Sequence, residues 1–212
     1  DRQCAMKTVR TRPMPLARRE CGPCLACCQE LKIDAPELKK KAGVLCGHYT
    51  GTGCAIYARR PAVCRGFLCG WRLFEDLGDD WRPDLAGALI VKREAAAMPE
   101  AYRGAEYGIS IVITGGEAAI RRPGFAEYVG ATIRRGIAVE MTAGSPATLL
   151  NHHLDGAVAG TNPNVARDVL VRLYRMLKAR RWKRGPLMLW HLYRLEVERQ
   201  RALMEKKLNK TI

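Results

Sequence analysis

The sequence predicts an α+β protein in which a glycine- and cysteine-rich, metal-stabilised module precedes a small sheet-plus-helix layer and two C-terminal helices. Three observations predict it. Eight of the nine cysteines fall between Cys21 and Cys69, and none lies beyond. β-Branched apolar runs bounded by glycine come next, with a helical pattern between them. Residues 161–212 then show helical spacing rich in arginine and lysine. With 48% hydrophobic residues the chain can fill a packed core, so the cysteines are not there merely to rescue a tiny fold. The divisions expected are a basic extension (1–20), a cysteine module (21–84), an α+β body (85–160) and basic helices (161–212).

The module opens on CGPCLACC, residues 21–28. Cys-Gly-Pro-Cys spells a thioredoxin site, but such a site needs a buried strand before it and a helix after it. PLARRE is too polar and short for that strand, and Cys27 and Cys28 would compete as thiols. Gly22-Pro23 reads better as a turn that lets Cys21 and Cys24 face one point. Structural disulfides fit poorly as well, because adjacent Cys27 and Cys28 diverge in direction and C-x2-C spacing suits chelation. Metal binding explains the spacing best. Paired thiolates close a tetrahedron around one ion at ~2.3 Å each. The candidate ligands are Cys21, Cys24, Cys27, Cys28, Cys46, Cys54, Cys64 and Cys69. They could form two four-sulfur sites or one binuclear site, with zinc favoured and iron or a four-iron four-sulfur (4Fe-4S) cluster as alternatives. His48 is a further possible ligand. Arg59, Arg60, Arg65 and Arg72 are placed to donate hydrogen bonds to sulfur. Frequent glycine suits a loop-rich backbone wrapped around ions, and the module is expected to need them to fold. A short helix is expected over 35–41, with Asp34 as cap and Pro36 in the first turn, and another after Pro61.

The blocks CGPCLACC, AGVLCGHY, GCAIYARRP and CRGFLCGW resemble the YkgJ-type cysteine-cluster family, to which zinc or iron chelation is ascribed. All eight cysteines, with Pro61, Arg65, Phe67 and Trp71, fall on the family pattern, and WRPD at 81–84 resembles the segment that bacterial members commonly carry next. The resemblance covers residues 21 to about 90 and implies a metal site at those cysteines. Some members are linked to iron–sulfur-dependent lysine methylation of flagellin. That role does not carry over, since no S-adenosylmethionine pocket is recognisable.

In the body, residues 85–93 (LAGALIVKR) and 108–116 (GISIVITGG) read as strands. Residues 122–136 (RPGFAEYVGATIRRG) read as a helix, with Pro123 near its start and Gly136 past its end. Residues 136–144 (GIAVEMTAG) read as a third strand, giving a helix laid on a sheet. Gly115–Gly116 is read as a turn, because a phosphate loop would need a following lysine and serine. His152 and His153 are read as a loop or helix-end pair. The acidic group Glu75, Asp76, Asp79 and Asp80 is read as a solvated turn. Two helices are expected to close the chain: 165–181, with Val165, Val169, Leu170, Leu173, Met176 and Leu177 as its apolar stripe, and 187–208.

The net charge of +15 is uneven. Residues 73–160 carry eight basic and twelve acidic side chains, whereas residues 161–212 carry fourteen and four. A uniform nucleic-acid-binding surface is therefore excluded. The run KARRWKRG (178–185), with Trp182 interleaved, is the one candidate for RNA or an acidic partner, through residues 178–184. No apolar run approaches the ~20 residues that cross a bilayer, and no hydrophobic signal region stands near the start. A soluble cytoplasmic protein is expected. The functional classes that stay open are a metal-binding protein, an iron–sulfur enzyme or electron carrier (including a protein-modifying one), and an RNA- or partner-binding adaptor. No catalytic residue stands out.

Overall fold

The computed structural model of the chain describes residue 16 and residues 19–144, 146–154 and 162–182, with side chains to residue 179. It is an α+β fold. In the cysteine module, α1 (Ala26–Glu30) leads into a hairpin of β1 (Ile33–Ala35) and β2 (Leu38–Lys40). The hairpin corrects the helix expected over 35–41. Pro36 sits in a two-residue turn that pairs Ala35 with Leu38 and Ile33 with Lys40, so the Asp34-Ala35-Pro36 signature marks a reversal and not a helix start. A loop with a single 3-10 turn (Tyr57–Arg59) comes next, then α2 (Ala62–Gly66) directly after Pro61, as expected, and α3 (Gly70–Leu73).

A 3-10 turn (Asp79–Trp81) and α4 (Pro83–Ala86) lead into the body. Among the described residues its sheet has four strands, β3 (Ala88–Glu94), β4 (Tyr107–Ile113), β5 (Val139–Thr142) and β6 (Thr148–Leu149), in that spatial order. β3 and β4 pair antiparallel, β4 and β5 parallel, and β5 and β6 antiparallel. The three expected strands are present; β6 is an addition, with only Thr148 and Leu149 to signal it. The parallel step needs a crossover. α5 (Gly116–Arg121) and α6 (Phe125–Arg134) supply it, so Gly116 opens a helix where the sequence suggested only a turn. β4 is central, and Ile109, Val112 and Ile113 are buried with Ile111 between them, the near-continuous apolar run of a strand covered on both faces.

α7 (Asn151–Leu154) carries both His152 and His153, and α8 (Pro163–Trp182) packs on α5 and α6. The buried side of α8 is Ala166, Leu170, Val171, Leu173, Tyr174 and Leu177. Val165 and Met176, expected on that stripe, are exposed, because the helix turns its Ala166–Tyr174 face inward. Buried Asn151 staples the far edge of the sheet: its Oδ1 accepts the Val139 N–H at 2.8 Å and its Nδ2 donates to the Ile137 carbonyl at 2.9 Å. Glu75, Asp76, Asp79 and Asp80 are exposed, with Asp80 paired to Arg122 and Asp76 3.5 Å from Arg135. Cys4, the helix expected over 187–208 and the basic side chains of 180–184 lie outside the described residues.

Module and body share one apolar cluster that runs from Ala26, Cys69 and Trp71 to Leu177. Cys69 forms an antiparallel bridge with Val91 of β3, and Gly70 packs against Ile90. The last of the eight cysteines is thus built onto the sheet itself.

Candidate metal centre

Each cysteine is placed by a local device. The Cys24 N–H donates to the Cys21 carbonyl at 3.0 Å, closing a turn with Gly22 at a φ of 52°. That left-handed backbone favours glycine, and it folds Cys21 back beside Cys24. Cys27 and Cys28 ride on α1. Cys46 donates its N–H to the Cys28 carbonyl at 3.0 Å, which brings the second block onto the first. Cys54 pairs with Tyr49 across a tight reversal, Cys64 lies in α2, and Cys69 precedes α3 on β3.

The result is convergence on two adjoining cavities. One of about 140 Å3 is lined by Cys21, Cys24, Cys27, Cys28, Cys46, Cys54 and Cys64, with His48 among them. The other, about 40 Å3, is lined by Cys21, Cys24, Cys27, Cys64 and Cys69. All eight are free thiols, and all but Cys69 are only partly buried. Among the described residues, no three His, Cys, Asp or Glu side chains stand together as a ready-made ion site. The sulfurs face common space without being drawn to a point, and each cysteine has a single χ1 to turn.

The electrostatics are those of sulfur crowded into half-buried space. Burial pushes the Cys24 thiol up to about 11, against backbone N–H groups of Ala26 and Asp84 that favour its thiolate. Burial likewise raises Cys69, opposed by N–H groups of Arg72 and Trp71, and raises Cys64, helped by Cys28 and Cys46. The vicinal pair splits its protons. Hydrogen-bonded contact with Cys28 keeps Cys27 protonated, while the same contact, aided by Lys40 and Arg60, pulls Cys28 down to about 6. A bound cation reverses this crowding, since it makes every adjacent thiolate favourable.

The donor set fits a soft metal. Arg72 Nη1 lies 3.8 Å from Cys21 Sγ, the contact to sulfur expected of it, and its Nε donates to the Arg19 carbonyl at 2.8 Å. Arg60 lines both cavities and stacks on Tyr57 at 3.6 Å. Arg65 instead donates to the Arg60 carbonyl at 2.7 Å. Trp71 lines the smaller cavity, and its buried indole Nε1 has no protein acceptor there. An N–H group is the donor that thiolate sulfur accepts, so this unpaired group suits a thiolate–metal site.

Two positioning residues escape a motif reading. Lys40 is buried, and its Nζ donates to the carbonyls of Gln29 (2.9 Å), Lys41 (3.1 Å) and Val44 (2.7 Å). It thereby ties β2 to the end of α1 and to the approach to Cys46. Arg19 donates to the carbonyls of Trp71, Phe74 (2.9 Å) and Leu77, strapping the chain before Cys21 to α3. The signal for Lys40 was its place at a strand end amid Lys39-Lys40-Lys41, which a charge count cannot tell from a solvated run. His152 and His153 sit in the body on α7, and neither lines either cavity.

No helix among the described residues is long and apolar enough to cross a membrane. No family model, curated protein or solved structure matches this chain.

Proposed function

We propose that the protein binds metal through Cys21, Cys24, Cys27, Cys28, Cys46, Cys54, Cys64 and Cys69, with zinc as the favoured ion and iron, mononuclear or as a 4Fe-4S cluster, as the alternative. The observation that carries this reading is the gathering of all eight thiols, from separate segments between Cys21 and Cys69, around two adjoining cavities. Eight thiolates around two dications leave a charge of −4, and Lys40, Arg60 and Arg72 stand at or beside the cavities to offset it, Arg82 being paired with Asp84. When bound, the ion supplies cross-linking of loops that bury little apolar surface of their own. Its role is structural or metal-handling. The resemblance to the YkgJ-type family supports the same ligand set.

Metal content after anaerobic purification, with the eight cysteines changed to serine in turn, tests the reading. Colourless protein holding zinc supports it; brown protein with absorption near 400 nm moves it to iron–sulfur chemistry. For a partner, Lys178 is exposed on α8, and low-salt RNA titration of the chain with and without its 178–184 charges tests that role.

A further inference from the structure

We infer that the eight cysteines divide into two inequivalent four-sulfur sites: an inner, fixed site from Cys21, Cys24, Cys27 and Cys69, and an outer, exchangeable site from Cys28, Cys46, Cys54 and Cys64. The inference rests on the metal-binding reading above and adds which sulfurs share an ion and which ion can leave.

The cavities draw the line. Cys28, Cys46 and Cys54 line only the larger, and Cys69 lines only the smaller. Of the four that line both, Cys21 is tied to Cys69 through Arg72, whose backbone N–H donates to the Cys69 carbonyl at 2.9 Å and whose Nη1 lies 3.8 Å from Cys21 Sγ. Cys24 is bonded back to the Cys21 carbonyl, and Cys27 follows three residues on at the start of α1, which completes the inner set and leaves Cys64 to the outer one. Contact between Cys27 and Cys28 is then where the two sites meet. The two thiols touch there, and one sulfur of the pair serves each site.

The two sets differ in how firmly they are held. Cys69 is bridged to β3, and the smaller cavity is walled by Trp71, Pro83 and Leu89. N–H groups of Ala26, Asp84, Trp71 and Arg72, with the Arg72 guanidinium, serve its sulfurs. Such outer-sphere donors commonly change metal affinity 10–100-fold, roughly, when lost. The larger cavity is framed instead by the hairpin, the 46–57 loop and α2, and at its rim Tyr57 and Val63 are each 44% exposed. His48 stands there as a spare donor through which an ion can change partners.

The test uses the purified full chain loaded with zinc and an excess of chromophoric chelator. Zinc should leave in two phases of equal amplitude, with rates about 10-fold or more apart. If N-ethylmaleimide is added after the fast phase, peptide mapping should find Cys28, Cys46, Cys54 and Cys64 labelled, and Cys21, Cys24, Cys27 and Cys69 protected. Cys46→Ser should abolish the fast phase alone. A single phase carrying all the zinc, or simultaneous labelling of all eight thiols, overturns the division while leaving metal binding intact. A chain that retains no ion at all overturns both. Because the labelling needs no variant, a misfolded mutant cannot decide the matter.

Discussion

Lys40 offers a sharp test, because it organises the cysteines without being able to hold metal through sulfur. Lys40→Met keeps most of the length and the apolar stem of the side chain and removes its three donors. The carbonyls of Gln29, Lys41 and Val44 then lose their partner in a partly buried setting, where water can reach Lys41 and Val44. A hydrogen bond to a charged group is worth about 1.5–3 kcal/mol, and three on one ammonium add less than in proportion. Burying the ammonium is itself unfavourable, as its lowered pKa reflects, and methionine recovers that cost. Because water can serve two of the three carbonyls, a net loss of about 1–2 kcal/mol results, equivalent to roughly 2–8 °C in melting temperature for a chain of this size. Gln29 adjoins Cys28, and Val44 lies two residues before Cys46, so the damage should fall on the outer site. Differential scanning calorimetry of the zinc-loaded chain, paired with chelator-driven release, reads both effects. Faster loss of the outer ion with the inner ion retained is the expected result. Melting and release indistinguishable from wild type would refute the reasoning that Lys40 holds these segments together.

Gly70→Ala places a Cβ 2.5 Å from Ile90 Cγ2 and 3.1 Å from Phe74 Cδ2. Overpacking of ~1–3 kcal/mol should outweigh the helix-propensity gain of up to ~1 kcal/mol, lowering thermal stability and speeding release of the inner ion; unchanged melting contradicts the docking of Cys69 on β3. Asn151→Ala strands two buried backbone groups and should cost about 2–4 kcal/mol, read by urea denaturation, while zinc content stays at the wild-type value. In reduced, metal-free protein that keeps its fold by circular dichroism, Cys28 should be alkylated by iodoacetamide before Cys24. Contact with Cys27, aided by Lys40 and Arg60, lowers the Cys28 thiol, so its nucleophilic thiolate is present at lower pH than that of Cys24, which burial pushes up to about 11. Mass spectrometry that finds Cys24 modified before Cys28 contradicts the assigned contact.

The body was legible because apolar pattern and packing agree. Residues 85–93 and 108–116 carry β-branched runs that burial on both faces of the sheet rewards, and the turn signals around 122–136 bracket α6. The hairpin at 33–40 was not legible, since Asp34 and Pro36 open a turn and a helix with the same chemistry. Lys40 separates the two, and its three acceptors are not evident from its place in the sequence. On α8, spacing marked Leu170, Leu173 and Leu177 as core but could not set the helix rotation that buries Tyr174 and exposes Met176. At the candidate site, cysteine spacing named every sulfur that lines the cavities. It did not reveal the Cys69–Val91 bridge, the Arg19 strap or the unpaired Trp71 indole, because each depends on where the module lies against the sheet.

The most direct test is elemental analysis of the full chain purified without oxygen, combined with a count of reactive thiols before and after denaturation in chelator. Two tetrathiolate sites require about two ions per chain, with the eight thiols shielded until the metal is stripped and then all titratable. A folded chain that carries no metal, with these cysteines oxidised in pairs, would contradict the account at its root.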